Sequence, residues 1–331
     1  MKDKDVVEHL LQSYEMIEQD RMDEVYPLLS KMTAEHPEWV DERFQVELKL
    51  LTKQMEDHLA LKEFGFLRSV SLAYRYCDAN YAKDGMLTGE NTGEKELLPE
   101  RDTIWWCWLQ GIEKAPDLVK RCYDSLSKLG KKILVLDESN LKDYVQLPAF
   151  VEEKYQRGMI ERAHYTDLVR LELLTKRGGI WIDATTFISG TEQILPVLDE
   201  ENLFFYRSGN VSEYIIFDNW FMMAKRKSAI LEATKRMLYR FWEQEEKVKH
   251  YFIFHLMMSI ACKQNPQEYA IIPAFSNEPA HILQYELGKP FQKRRWQQIL
   301  AMSDVHKLTY KLEEQDYSGS FLEHILQQGA E

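Results

Sequence analysis

Cysteine is scarce in this chain: 331 residues contain four, Cys77, Cys107, Cys122 and Cys262. Their spacings match neither a zinc ligand set nor a redox pair, which excludes a disulfide framework and points to structural thiols in the cytoplasm. Long apolar runs are missing too. Nothing approaches the ~18 consecutive apolar residues of a spanning helix, and Met1-Lys-Asp-Lys-Asp-Val6 turns acidic where a signal peptide would turn apolar. There is no Gly-x-Gly-x-x-Gly after a strand, no phosphate-binding Walker loop, no Gly-x-Ser-x-Gly elbow and no His-Glu-x-x-His. Those absences remove the familiar dinucleotide, P-loop, serine-hydrolase and zinc-protease readings. Internal repeats are absent as well, so a solenoid is not expected.

Positive charge is the minority sign. Lys and Arg number 42 against 54 Asp and Glu, for a net charge of -12, which argues against broad nucleic-acid binding. A local basic pocket for a nucleotide or diphosphate stays open, because it needs only a few donors. Aromatic residues make up 12% of the chain. They suit core packing or a sugar groove, and composition does not choose between these.

Residues 1 to about 80 read as helical. Val6, Leu10, Tyr14 and Ile17 form one apolar stripe, and Phe44, Leu48, Leu51, Met55 and Leu59 form a longer one. Asp20 or Asp23 suits a cap, Pro27 a kink, and Thr33 to Pro37 a break. The polar, glycine-rich text from Asp84 to Gly93 reads as a connection. The expected division is a helical appendage over 1–95 and an α/β domain over 96–331. Within that domain strands are expected at 104–108, 132–136, 180–182, 203–206, 214–217 and 220–224. Helices are expected at 115–129, 161–177, 228–241 and 251–262, and such alternation favours an α/β sheet with crossover helices. Asn210-Val-Ser212 matches a glycosylation acceptor by accident rather than use.

The stretch from His164 to Asp183 carries the most chemistry. Leu168, Leu171 and Leu174 recur at helical spacing, while Asp167 and Arg170 share another edge. Gly178-Gly179 can leave the helix with positive φ, and Ile180-Trp-Ile182 reads as a buried strand. Asp183 ends that strand, where open sheets place ligand-binding groups. It suits Mg²⁺ or Mn²⁺ through a diphosphate, a sugar hydroxyl, or plain capping of loop amides. Arg170 suits phosphate, or an ordinary helix ion pair with Asp167. Asp218-Asn219 fits either a sugar contact or a turn, and His306-Lys307 either a diphosphate contact or a surface pair. His250 and His255 read as core or polar support rather than metal ligands.

The ordered segments resemble the bacterial capsular polysaccharide synthesis protein family, within the GT-A nucleotide-sugar glycosyltransferases. The text that carries the likeness is Ile104 to Pro116, Ala163 to Arg170, Gly178 to Thr186, Asp218 to Ala224, His250 to His255, Phe275-Ser-Asn277 and His306 to Lys311. The resemblance implies an α/β, Rossmann-like GT-A fold and retention of the donor sugar's anomeric configuration. It assigns Trp108, Gln110, Asp167, Arg170 and Asp183 to the donor, and Asp218, Asn219 and Lys307 to the reacting sugar and diphosphate. It implies a divalent cation, Mn²⁺ or Mg²⁺, on Asp183 and His306. It also implies a UDP-hexose donor, UDP-galactose ahead of UDP-glucose, and a saccharide acceptor carried on a lipid diphosphate. The family's usual Asp-x-Asp motif is altered here, because its last position is Thr185. The implied location is cytoplasmic, at the inner face of the membrane, with peripheral association left open. A non-catalytic saccharide- or nucleotide-sugar-binding protein is the alternative.

Overall fold

The computed structural model describes residues 2–18, isolated positions between 21 and 34, and residues 62–82, 97–208, 214–312 and 315–327. The expected Phe44–Leu59 stripe, the kink at Pro27, the Asp84–Gly93 connection, the 95/96 boundary and the Asn210 triplet lie outside them.

A mixed five-stranded sheet forms the centre. Its strands are β1 (Ile104–Cys107), β2 (Ile133–Leu136), β3 (Gly179–Ile182), β5 (Leu203–Phe205) and β6 (Phe221–Ala224), in spatial order β2-β1-β3-β6-β5. β2 and β3 run parallel to β1, whereas β6 is antiparallel to β3 and β5 antiparallel to β6. A two-stranded antiparallel ribbon joins β4 (Thr186–Ile188) to β7 (Val305–Lys307).

Strand alternation gives the sheet two buried faces. Trp105, Cys107, Trp181, Met222 and Phe205 face one core, together with helices α1 (Lys2–Glu18), α2 (Lys62–Tyr81), α4 (Arg162–Lys176), α5 (Ala229–Gln244) and α6 (Ile253–Gln264). Ile104, Trp106, Ile180, Ile182 and Phe221 face the other, where Val119 of α3 (Asp117–Ser125) packs. A third core holds Phe187 of the ribbon against Cys122, Trp296, Phe321 and Ile325. Helix α6 is buried from Ile253 to Cys262, which accounts for its apolar sequence on every side. The amino-terminal helices share the first core: Val7, Leu10 and Tyr14 of α1 and Tyr76 of α2 lie in one cluster with Phe241 and Leu256.

Two of the expected helices carry a visible terminal device. Ser228 caps α5 by accepting from the Leu231 N–H at 3.2 Å. Gly130 (φ 61) ends the 117–129 helical stretch. The expected strand 214–217 does not form. Its backbone is shared among single contacts instead: Ser208 N–H to Ile216 O, Asp218 N–H to Tyr206 O, and Ile216 N–H to Ser259 Oγ. Ile215 and Phe217 are buried as well, so the run packs its side chains while its backbone bonds to residues 206–208.

Candidate active site

Between β1 and β2 the chain crosses one face of the sheet through α3, and between β2 and β3 it crosses the other through α4. Successive connections on opposite faces part at the carboxyl ends of β1 and β3, where open sheets leave a crevice. A cleft of about 350 Å³ lies at this point. Trp108 and Gln110 reach it from the end of β1, Asp167 and Arg170 from α4, and Asp183 and Thr185 from the end of β3. Asn219 approaches ahead of β6, and Lys307 from β7.

Two glycines set the approach of α4 to β3. Gly178 (φ 75) and Gly179 (φ 108) turn the chain out of the helix. A Cβ on Gly178 would sit 2.6 Å from Leu98 Cβ, and one on Gly179 would sit 2.6 Å from Thr103 O. The Trp105 indole N–H donates to Gly178 O at 2.7 Å and fixes the corner. Asp183 N–H then donates to Trp220 O at 2.8 Å, which holds the end of β3 beside the segment carrying Asn219.

Asp183 is clamped on both oxygens. Its Oδ1 accepts from Arg170 Nη2 at 3.0 Å and from Trp181 Nε1 at 2.8 Å, and its Oδ2 accepts from Lys307 Nζ at 2.8 Å. Burial alone would raise this carboxyl, but Lys307 and Arg170 outweigh it and hold Asp183 below the usual carboxylate range. Arg170 is 3% exposed. Its guanidinium lies 4.9 Å from the Trp181 ring centroid and pairs with Asp167 Oδ1 at 3.3 Å. Asn219 Nδ2 donates to the same Asp167 oxygen at 2.9 Å. Among the described residues the cleft therefore presents Arg162, Arg170 and Lys307 against Asp167 and Asp183, a local positive excess in a chain of net charge -12. Cys107 also lines it, but burial and then the Asp183 charge push its thiol up to about 12, so it offers no thiolate.

Seven of the residues singled out in the sequence meet here: Trp108, Gln110, Asp167, Arg170, Asp183, Asn219 and Lys307. Two do not. His306 was expected as a metal ligand, yet strand alternation turns it to the back of the ribbon, opposite Phe187. There it is fully buried, 2.8 Å from Ser189 Oγ, and burial lowers its pKa to about 3. Asp218, expected near the reacting carbon, does not line the cleft. Its carboxylate accepts from the Asn277 amide and lies 3.9 Å from His255 Nε2. His255, read from sequence as polar support, lines the cleft with its pKa lowered by burial, against the opposing pull of Asp218.

Sequence reasoning missed several contributors. The Trp181-to-Asp183 bond follows the two-residue period of a strand and was open to that reading. Arg162 lies one turn and more before Asp167 on α4. Tyr251 and Tyr310, 62% and 42% exposed, stand at the rim, and Tyr310 meets Trp108 edge to face at 5.4 Å. Both tyrosines fall inside segments that carry the family likeness, His250 to His255 and His306 to Lys311, but neither was given a role there.

The donor set does not fit a divalent ion held between two carboxylates. Asp183 is already shared by two cations, Thr185 brings no charge, and His306 faces away. Among the described residues no group of three or more His, Cys, Asp or Glu side chains could hold a metal ion. No helix among them is long and apolar enough to cross a membrane.

Residues 73–325 match the family model described as capsular polysaccharide synthesis protein. None of the curated proteins compared with the chain matches it.

Proposed function

The chain belongs to the capsular polysaccharide synthesis protein family, and from that premise we propose that it is a glycosyltransferase of GT-A type. On this reading it moves a hexose from a UDP-sugar to a hydroxyl of a capsule or cell-surface saccharide, with retention at the anomeric carbon. The observation that carries the reading is Asp183 at the switch point of the sheet, bracketed by Arg170 and Lys307. A carboxylate that orients two cations in a half-buried cleft suits a ligand with a sugar and a diphosphate.

The chemistry assigned to the cleft is positioning and charge stabilisation. The acceptor oxygen bonds to the anomeric carbon from the face that the diphosphate leaves. The bond from that carbon to the phosphate oxygen breaks, and the acceptor's proton passes to a phosphate oxygen of the departing UDP. Lys307 and Arg170 meet the charge that grows there, while Trp108 and Gln110 hold the nucleoside end and Asn219 the sugar. Asp218, engaged by Asn277 away from the cleft, is not given the part of a nucleophile. The acceptor is proposed to ride on a lipid diphosphate at the cytoplasmic face of the membrane.

A matrix of nucleotide sugars and saccharide acceptors, with NMR of each product, tests the reading. Transfer with retention from a UDP-hexose is expected. Binding of UDP-sugars without nucleotide release under any acceptor would make the protein a binding module instead.

A further inference from the structure

The ammonium of Lys307 lies 2.8 Å from Asp183 Oδ2 and 2.9 Å from Thr185 Oγ1. Those oxygens belong to the first and third residues of Asp183-Ala-Thr185, the positions whose side chains would share a divalent ion if both were carboxylates. Lys307 gets there because Thr186 pairs with Lys307 across the β4–β7 ribbon, and Leu308 N–H continues the ladder to Thr185 O at 2.9 Å. The cation is thus supplied by backbone register rather than by a flexible loop.

We propose that Lys307 stands where a metal ion would, and that the cleft binds a nucleoside diphosphate without a divalent cation. The inference rests on the donor-site reading given above and specifies how that site neutralises the diphosphate. Three observations agree. The third motif position is a neutral hydroxyl, which can accept from an ammonium but adds little to a site for Mg²⁺ or Mn²⁺. The remaining carboxylates have partners: Asp183 with Arg170 and Lys307, Asp167 with Arg170 and Asn219. A metal-using cleft would leave carboxylate charge for the ion, whereas this one has three cations against two carboxylates among the described residues. A divalent ion at its normal ~2.0–2.1 Å from Asp183 would have to displace the Lys307 ammonium.

Calorimetric titration of the full chain with UDP, GDP and CDP, in EDTA and then in Mn²⁺, tests this. Equal affinity for the preferred nucleotide in both buffers is expected. K307A should weaken that affinity about 10- to 100-fold, the worth of a charge-assisted contact, with K307R between it and the native protein. The double variant T185D/K307A restores two carboxylates and removes the ammonium, so its nucleotide binding should become Mn²⁺-dependent. Mn²⁺ electron paramagnetic resonance gives a second readout: the native chain should leave the ion free, and the double variant should bind it. Native binding that needs Mn²⁺ would overturn the role of Lys307 and leave the donor site standing. Unchanged affinity in K307A would overturn it as well. No binding of any nucleotide in either buffer would remove the donor reading, and this inference with it.

Discussion

Arg170 Nη2 donates to Asp183 Oδ1 at 3.0 Å across the Gly178-Gly179 turn, pairing a guanidinium only 3% exposed with the carboxylate that ends β3. Neutralising that anion in D183N should cut nucleotide affinity or turnover by about 100-fold, since two charge-assisted contacts weaken together. Stability should fall by about 1–3 kcal/mol. Arg170 is a different case. A guanidinium 3% exposed leaves Asp183 and Asp167 short of a partner when removed. R170A should cost about 3–5 kcal/mol, and R170K is the better probe of function. Urea unfolding beside kinetics separates the two effects.

Gly179 should tolerate no side chain. A Cβ there meets Trp105 Nε1 at 2.5 Å and Thr103 O at 2.6 Å, with φ 108. G179A should lose about 2–5 kcal/mol from strain and overpacking together. G130A is the matched control, because Gly130 has φ 61 and nothing within 4 Å. Its cost should be the left-handed backbone alone, about 1–2 kcal/mol. Thermal unfolding of the pair checks the difference.

The helix, the glycine corner and the strand ending in Asp183 were legible because each rests on a local rule: 3.6-residue spacing, positive φ, and an apolar run of strand length. Direction within the sheet was not. Phe221–Ala224 and Leu203–Phe205 are apolar whichever way they run, so the antiparallel half of the sheet leaves no mark in composition. Neighbouring residues were also treated as pairs when backbone geometry separates them. His306 and Lys307 lie on opposite faces of one strand, and Asp218 and Asn219 point to different partners, Asn277 and Asp167. Period-two alternation could have parted the first pair from sequence alone. The rim tyrosines lay within matching segments, but their place at the cleft depends on contacts across the fold, such as Tyr310 on Trp108.

His306 gives a pH signature. Burial, helped by the nearby Lys128 charge, lowers its pKa from 6.5 to about 3. The unfolded chain therefore takes up this proton near pH 6.5 while the folded chain refuses it. Stability from the neutral ring is fully present above pH 6.5 and drains away as the pH falls toward 3, at up to about 1.4 kcal/mol per unit. His250, lowered to about 4 by burial and by His255, adds the same sign. Urea unfolding between about pH 7.5 and 5 should show a steeper acid loss in the native chain than in H306Q. Equal slopes would refute the assignment.

Tryptophan emission should report the cleft. Trp108 and Trp181 line it, so nucleotide binding should change the fluorescence, and W108F should lose a measurable part of the change. A full response in W108F would place the nucleoside away from Trp108.

The four thiols should be silent in the native state. Cys77, Cys107, Cys122 and Cys262 are all free and buried. A thiol reagent should find none of them promptly in the folded protein and all four in guanidinium.

Lys307, which the ribbon brings to Asp183, lies 124 residues beyond it in sequence. At ~5–20 residues per second of synthesis, the carboxylate and its helical guanidinium leave the ribosome roughly 6–25 s before the ammonium does. A nascent chain can thus complete much of the sheet while its diphosphate cleft still lacks one arm, and a message truncated ahead of residue 305 would lose the β4–β7 ribbon and the Phe321 and Ile325 side of the third core together with the ammonium.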